Sequence, residues 1–115
     1  MWNEALDTAL KYIKYGQPDP RIYRKLGTIN DKLGRKEHAR FYFQSVLKMK
    51  DYFPVEGGVI NDYSDDEFMS ALQLEMIAYY TDKNLLLAKE YHLMTKKMRP
   101  KDPTVINNDQ CYKNV

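Results

Sequence analysis

DPRIYRKLGTINDKLGRKEHARFYFQSVLKMKD, residues 19–51, is the stretch that decides the fold of this chain. Asp19 is a good N-cap residue, and Pro20 suits the first position of a helix, where its missing N–H costs nothing. Apolar residues then recur at steps of three and four, which is the spacing of one buried helical stripe. The residues of this stripe are Ile22, Tyr23, Leu26, Ile29 and Leu33. Gly34 predicts the end of the helix, because glycine tolerates the left-handed conformation that closes many helices.

A second apolar stripe follows directly after this turn and predicts a second helix. Its residues are Ala39, Phe43, Val46 and Leu47. Gly27 and Ala39 are small residues at the positions where the two helices would approach most closely, since a larger side chain would push the axes apart. The stretch therefore predicts a helix-turn-helix unit.

Several residues of this unit carry a resemblance to a known repeat family. They are Tyr23, Leu26, Gly27, Gly34, Ala39 and Phe43. Together they resemble the signature of the tetratricopeptide repeat (TPR), a helix-turn-helix unit of about 34 residues. The resemblance implies an all-α fold, a TPR-like superhelical stack of about six helices whose exposed face binds other proteins.

We predict a single TPR-like domain over residues 1–115. Residues 1–18 would be the second helix of an incomplete repeat, because Ala5 lies one repeat period before Ala39. A full repeat over 19–51, an inserted loop over 52–64, a second full repeat over 65–100 and a capping helix over 102–115 would follow. The first helix lacks its partner helix. We therefore expect either a fragment of a larger protein or a homo-oligomer in which a second copy covers the apolar side of this helix.

The second full repeat should contain two helices, over about residues 65–82 and 84–99, by the same apolar spacing. Ser64 and Glu67 form a capping box that opens the first of them, and Asp102 with Pro103 opens the capping helix. The residues expected in the core are Phe68, Leu72, Met76, Tyr79, Tyr80, Leu85, Ala88, Tyr91, Leu93, Thr95 and Met98.

Composition places the chain among ordinary folded proteins, with 43% hydrophobic and 30% charged residues. No apolar run approaches the roughly 18 residues of a membrane-spanning helix, so we expect no membrane partner. Cys111 is the single cysteine and cannot form an internal disulfide, so nothing requires an oxidising compartment. A cytoplasmic location is the resulting expectation.

Charge is distributed unevenly along the chain. Residues 20–50 contain nine Lys or Arg against two Asp or Glu, whereas residues 51–67 contain six acids and no base. One interpretation is a solvated helix face beside an acidic loop. The other is a basic patch that binds an acidic peptide or surface. Nucleic acid is not expected as a partner, because the chain contains no recognisable nucleic-acid-binding module.

In tetratricopeptide repeats the first helix of each pair lines the concave face, so the resemblance implies a partner-binding groove. The residues at these positions are Arg21, Arg24, Thr28, Asp31, Lys32, Ser70, Gln73, Ile77, Tyr80 and Thr81. Such a groove would suit a protein or an extended, acidic peptide. The alternative is that these positions are solvated and have no dedicated ligand. The carboxylate clamp that some members of the family use is not predicted, because Thr28 stands in place of an expected Asn and Gln73 in place of another.

A closer resemblance covers most of the chain. A helix with EALDTALKYI precedes a repeat that ends in ARFYFQSVLKMK, then an insertion with Pro and Tyr, then LQLEMIAYYTDKNLLLAKEYHLMTKKMRPKDP and a final INNDQCY. This order is similar to the TPR tail that follows the catalytic domain of some bacterial family 2 glycosyltransferases. The resemblance implies a role in oligomerisation or acceptor positioning, with the chemistry carried by a domain outside this chain.

We predict no catalytic residue, metal site or cofactor within this chain. His38 and His92 lie in different repeats, without a Cys or carboxylate at metal-ligand spacing, and are expected to be surface or partly packed residues. Cys111 has no nearby His in the sequence, which argues against nucleophilic catalysis. Asp65, Asp66 and Glu67 suit the N-terminus of a helix better than a calcium loop. The chain is therefore expected to be a non-enzymatic interaction or scaffold module.

Overall fold

The computed structural model describes residues 20–49 and 64–115. Within these ranges all regular secondary structure is helical and there is no strand, so the all-α prediction is confirmed. The predicted helix of residues 1–18, the N-cap Asp19 and nearly all of the 52–64 loop lie outside the described residues. The chain divides into two compact units, with the boundary between Ser70 and Ala71.

A helical hairpin dominates the described part of the first unit. Helix α1 (Pro20–Lys32) and helix α2 (Lys36–Met49) are joined by a turn over residues 33–35 and pack along each other. The fully buried apolar residues of the pair are Leu26, Ile29, Ala39, Phe43 and Val46. All of these belong to the two stripes predicted from the sequence, and the other stripe residues are half-buried. The predicted helix pair is confirmed.

Gly27 on α1 lies directly against the ring of Phe43 on α2. A Cβ atom added to this glycine would lie 2.6 Å from Cε1 of the buried Phe43 ring. Real Cβ atoms do not approach carbon atoms this closely, so the ring occupies the space that a side chain at position 27 would need. Ala39 on α2 is also fully buried. The expectation that small residues let these helices approach is therefore confirmed.

The turn after α1 uses Gly34 in the left-handed region, with a φ of +79°. The Arg35 N–H donates to the Asn30 carbonyl at 2.8 Å, and the Gly34 N–H donates to the Asp31 carbonyl at 3.1 Å. These two bonds satisfy carbonyl groups that the last helical turn leaves without intrahelical donors. Gly34 ends the helix as predicted.

Helix α3 (Ser64–Met76) begins at the predicted capping residue and continues into a π-helical turn over Ile77–Thr81. Its buried side differs from the predicted one. Met76 and Tyr80 were expected in the core but are 38% and 64% exposed. The residues buried instead are Ala71, Leu74, Glu75, Ile77 and Ala78. Phe68 is buried as expected, and the difference arises because Ala71, Ala78 and the Glu75 carboxyl share the inner face with larger apolar residues.

Helix α4 (Leu85–Met98) follows after a short turn and buries Ala88, His92 and Thr95, which lie on one helical face. Leu85 and Leu93 were expected in the core and are exposed. Ala88 and Thr95 are buried as expected, but the polar His92 occupies the position between them and the two leucines lie to the sides.

A short C-terminal segment completes the second unit. Helix α5 (Pro103–Asn108) leads into a 3-10 turn over Asp109–Tyr112. The Asp102 carboxylate accepts hydrogen bonds from the N–H groups of Thr104 and Val105, at 2.9 Å and 3.4 Å, and Pro103 occupies the first turn. The predicted cap at Asp102 and Pro103 is confirmed.

Two residues with positive φ give a paired prediction for stability. Lys83, between the π-helical turn and α4, has a φ of +52°. Because the left-handed region strains any residue with a Cβ, Lys83→Gly should raise the free energy of unfolding by up to about 1 kcal/mol. Gly34→Ala should lower it by about 1 kcal/mol for the same reason. Urea denaturation of both variants tests the pair, and a change of the same sign in both would contradict it.

Candidate functional site

A cluster of buried polar side chains lies inside the second unit. Glu75 comes from α3, His92 from α4 and Tyr112 from the 3-10 turn. Glu75 and His92 are each only 1% exposed, and Tyr112 is 6% exposed. Buried carboxyl and imidazole groups are uncommon, because each loses hydration that its new partners must replace.

Three other side chains lie around one oxygen of the Glu75 carboxyl group, those of Tyr112, Asn108 and His92. The Tyr112 hydroxyl donates to Glu75 Oε2 at 2.6 Å, and Asn108 Nδ2 donates to the same atom at 3.4 Å. His92 Nδ1 lies 3.7 Å from this oxygen. The His92 ring also stacks on the Tyr112 ring, with 4.8 Å between centroids and 28° between planes.

Burial raises the pKa values of both the Glu75 carboxyl and the Tyr112 hydroxyl. Desolvation raises the pKa of the Glu75 carboxyl, and the hydrogen bond from Tyr112, the electrostatic interaction with His92 and the hydrogen bond from Asn108 oppose this only in part. Burial, together with the hydrogen bond to Glu75, raises the pKa of the Tyr112 hydroxyl. Tyr112 therefore keeps its proton and acts as the donor in this bond.

Asp109, at the start of the 3-10 turn, supplies a carboxylate on the outer side of the cluster. His92 Nε2 lies 2.7 Å from Asp109 Oδ1, and Lys96 Nζ lies 3.1 Å from Asp109 Oδ2. The hydrogen bonds from His92 and Lys96 lower the pKa of the Asp109 carboxyl. Because Asp109 is then an ionised acceptor, His92 Nε2 carries the donated hydrogen.

Two buried atoms of the cluster have no hydrogen-bond partner among the described residues: Glu75 Oε1 and His92 Nδ1.

The prediction that His92 is a surface or partly packed residue is wrong, because Asp109 and Glu75 flank its buried ring. Nothing in the local sequence pairs these residues, which lie 17 positions apart in each case. A signal was available in the spacing, however. His92 lies four residues after Ala88, and Glu75 lies between Ala71 and Ala78 on one helical face.

Three residues of the predicted groove in the first unit have internal contacts. Arg24 Nε lies 2.5 Å from Oδ1 of Asp66, whose residue is 5% exposed. Thr28 Oγ1 donates to the Arg24 carbonyl at 3.1 Å within α1. Asp31 forms an ion pair with Lys36 across the turn. Among these contacts, only the Arg24–Asp66 pair joins distant parts of the chain, whereas the other two contacts are local.

The other two residues of the predicted groove in the first unit lie on an exposed face of α1. Arg21 and Lys32 are exposed, and Lys25 lies between them on the same face. No described residue pairs with Lys25 or Lys32. We refer to Arg21, Lys25 and Lys32 as the basic row.

The groove residues predicted in the second repeat differ in their exposure. Ile77 is buried and belongs to the interior, so its side chain is not offered to a partner. Gln73 is half-buried, and Tyr80 is exposed with its ring edge-on to Tyr79 at 4.9 Å. Thr81 is exposed as well. Ser70, the last residue of the first unit, is fully buried.

Comparison of the chain with protein-family models, with curated proteins and with solved structures gave no match. In the part of the chain that the structure describes, no group of three or more His, Cys, Asp or Glu side chains could hold a metal ion. No helix of that part is both long enough and apolar enough to cross a membrane.

Proposed function

We propose that this chain is a TPR-like, non-catalytic interaction module that works in the cytoplasm and binds an acidic segment of a partner protein on the first unit. The observation that carries the proposal is the basic row, which places three cationic side chains on one exposed face of α1. The packing of Gly27 against Phe43 and the Gly34 turn support the relationship to tetratricopeptide repeats.

The internal contacts of α1 make this face suitable for binding. Arg24 is tied to Asp66 on one side of the helix, and Leu26 and Ile29 are buried on another. The helix that carries the basic row is therefore held on two sides by the rest of the first unit. Backbone that is already ordered in a helix loses less entropy on binding than a mobile segment. Carboxylates of an extended peptide can accept charge-assisted hydrogen bonds from the basic row.

Charge reversal on the basic row tests the proposal. The variant Lys25→Glu with Lys32→Glu should bind a fluorescein-labelled peptide of alternating Glu and Gly at least about tenfold more weakly at low salt, because two attractions become repulsions. Fluorescence anisotropy measures the affinity. The matched control is Lys97→Glu with Lys101→Glu, which changes the net charge equally at exposed positions of the second unit. Equal weakening in both variants would show that only net charge attracts the peptide and would overturn the proposal.

A second candidate function is the C-terminal TPR tail of a family 2 glycosyltransferase, which would support oligomerisation or acceptor positioning. The exposed apolar residues of the second unit favour this candidate, because Leu86 is 71% and Leu93 is 53% exposed and both lie on one face of α4. The discriminating measurement is the solution mass of a version of the chain extended by its upstream coding sequence. A dimer that carries a sugar-nucleotide domain would support this candidate over the first.

A further inference from the structure

The C-terminal segment, residues 103–115, is attached to the rest of the second unit through two kinds of contact. Tyr112 belongs to a small buried apolar cluster with Ala78 and Ala88, against which Val115 also packs. Lys89 Nζ donates to the Val115 carbonyl oxygen at 2.5 Å. The polar contacts of the segment are those of Tyr112, Asn108 and Asp109 with the buried pair Glu75 and His92. The state of this pair therefore bears directly on whether the segment stays attached.

The buried contact between Glu75 and His92 disfavours an ionised Glu75 carboxyl, because neither His92 Nδ1 nor Glu75 Oε1 has a hydrogen-bond partner among the described residues. His92 Nε2 donates to Asp109, so a neutral His92 ring would direct the lone pair of Nδ1 toward Glu75 Oε2, which is 3.7 Å away. If Glu75 were also ionised, a lone pair and a carboxylate would face each other away from water, which is unfavourable. A proton on the Glu75 carboxyl removes the conflict, because the neutral carboxylic acid no longer places a buried negative charge beside His92 Nδ1.

We propose that the proton of the buried Glu75 carboxyl holds the C-terminal segment on α3 and α4, and that loss of this proton releases the segment. Release uncovers the apolar surface of Ala78 and Ala88, which Tyr112 covers in the attached state. This latch is separate from the basic row, since it lies wholly within the second unit.

The direction of the pH dependence follows from the two carboxyl groups. Burial raises the pKa of Glu75 above its ordinary value of 4.5, so the attached state retains a proton that the released state loses. This contribution is complete below the ordinary value and disappears as the pH rises through the raised one. The pKa of Asp109 is lowered, so its contribution is present above its ordinary value of 3.8 and disappears in stronger acid. Attachment is thus strongest in mild acid and weakens as the pH rises from there.

Other titratable groups surround the latch without entering the contact between Glu75 and His92. Lys96 on α4 pairs with Asp109, and Lys89 on α4 contacts the Val115 carbonyl. Tyr79 of the π-helical turn lies edge-on to Tyr112, and its pKa is raised first by the neighbouring Cys111 and then by burial. None of these groups removes the unfavourable contact when Glu75 ionises.

Amide hydrogen exchange of residues 103–115 between pH 5 and pH 8 tests the latch. After correction for intrinsic exchange rates, protection in the unmodified chain should fall with rising pH, at up to about tenfold per pH unit for one linked proton. Glu75→Gln retains an oxygen that accepts from Tyr112 but cannot ionise, so its protection should not vary with pH. Glu90→Gln, which alters an exposed carboxyl of α4, should behave like the unmodified chain.

Two results would overturn the proposal: an unmodified chain whose protection does not change with pH, or a Glu75→Gln variant that retains the full dependence. Should Glu75→Gln fail to fold, carbon-13 NMR titration of the Glu75 carboxyl in the unmodified chain decides the question. A titration midpoint above 4.5 supports the latch, and a midpoint at or below 4.5 rules it out.

Discussion

Phe43→Ala should lower the free energy of unfolding by about 3–5 kcal/mol, one of the two largest effects that we expect from a single substitution in this chain. The Phe43 ring of α2 is fully buried and lies against the Gly27 backbone of α1. Removing the ring takes away its apolar burial and leaves a cavity that two helices held by a short turn cannot close. Urea denaturation followed by circular dichroism measures the change.

The matched control is Phe41→Ala on the same helix. Phe41 is 61% exposed, so its truncation should change stability by no more than about 0.5 kcal/mol. Gly27→Leu gives a second check, because it overpacks the intact site and should cost about 1–3 kcal/mol. In the Phe43→Ala background the added leucine should cost less or even stabilise, since the ring no longer occupies that space. Equal costs in both backgrounds would contradict the contact.

Tyr112→Ala should lower the free energy of unfolding of the second unit by about 3–5 kcal/mol, because a large, 6% exposed ring is removed from a buried cluster. Tyr112→Phe should cost about 1–3 kcal/mol, because it retains the ring stacked on His92 but removes the donor to the buried Glu75 carboxyl. The difference between the two variants separates the contribution of the ring from that of the hydroxyl.

Tyr80 provides the control for this pair of variants. It lies in the same unit and is 64% exposed, so Tyr80→Ala and Tyr80→Phe should each change stability by about 0.5 kcal/mol or less. Urea denaturation at pH 6, with hydrogen exchange of the second unit as a local readout, measures all four variants. If Tyr112→Phe were as stable as the unmodified chain, the hydrogen bond to Glu75 would contribute nothing.

The first helix pair could be predicted from the sequence because its core consists of apolar residues at regular spacing. Leu26, Ile29 and Phe43 bury the side that the pattern indicates, and Gly34 adopts the conformation that only glycine adopts without strain. Local rules of spacing and turn chemistry are sufficient when every inward position is apolar or small.

The second unit was predicted less well because its inner face breaks that pattern. Glu75 and His92 point inward, and the large apolar residues Met76 and Leu93 point outward, so a search for apolar residues selects the wrong side. The π-helical turn over Ile77–Thr81 adds to the error, since its wider turn shifts the face on which later residues lie. Partners for the inward polar groups come from distant positions, which periodicity cannot reveal.

The groove predicted on α1 shows the same limit in the first unit. Arg21 and Lys32, which were predicted to line a groove, are exposed. Position along a helix could not show that Arg24 pairs with Asp66, which lies 42 residues away in the sequence. Local patterns indicate which face of a helix is polar, but only the folded chain shows which charges on that face are already paired.

Asn84 contacts both the end of one helical segment and the start of the next, which limits changes of chain length at this turn. Its N–H donates to the Ala78 carbonyl at 2.8 Å, and its side chain accepts from the Leu87 N–H at 3.1 Å. One residue thus terminates the helical run that begins at Ser64 and initiates α4. An inserted residue at this point would separate the two tasks and leave one helix end unsatisfied. Evolutionary insertions and deletions should therefore be rare at this turn and accumulate in other connections of the chain.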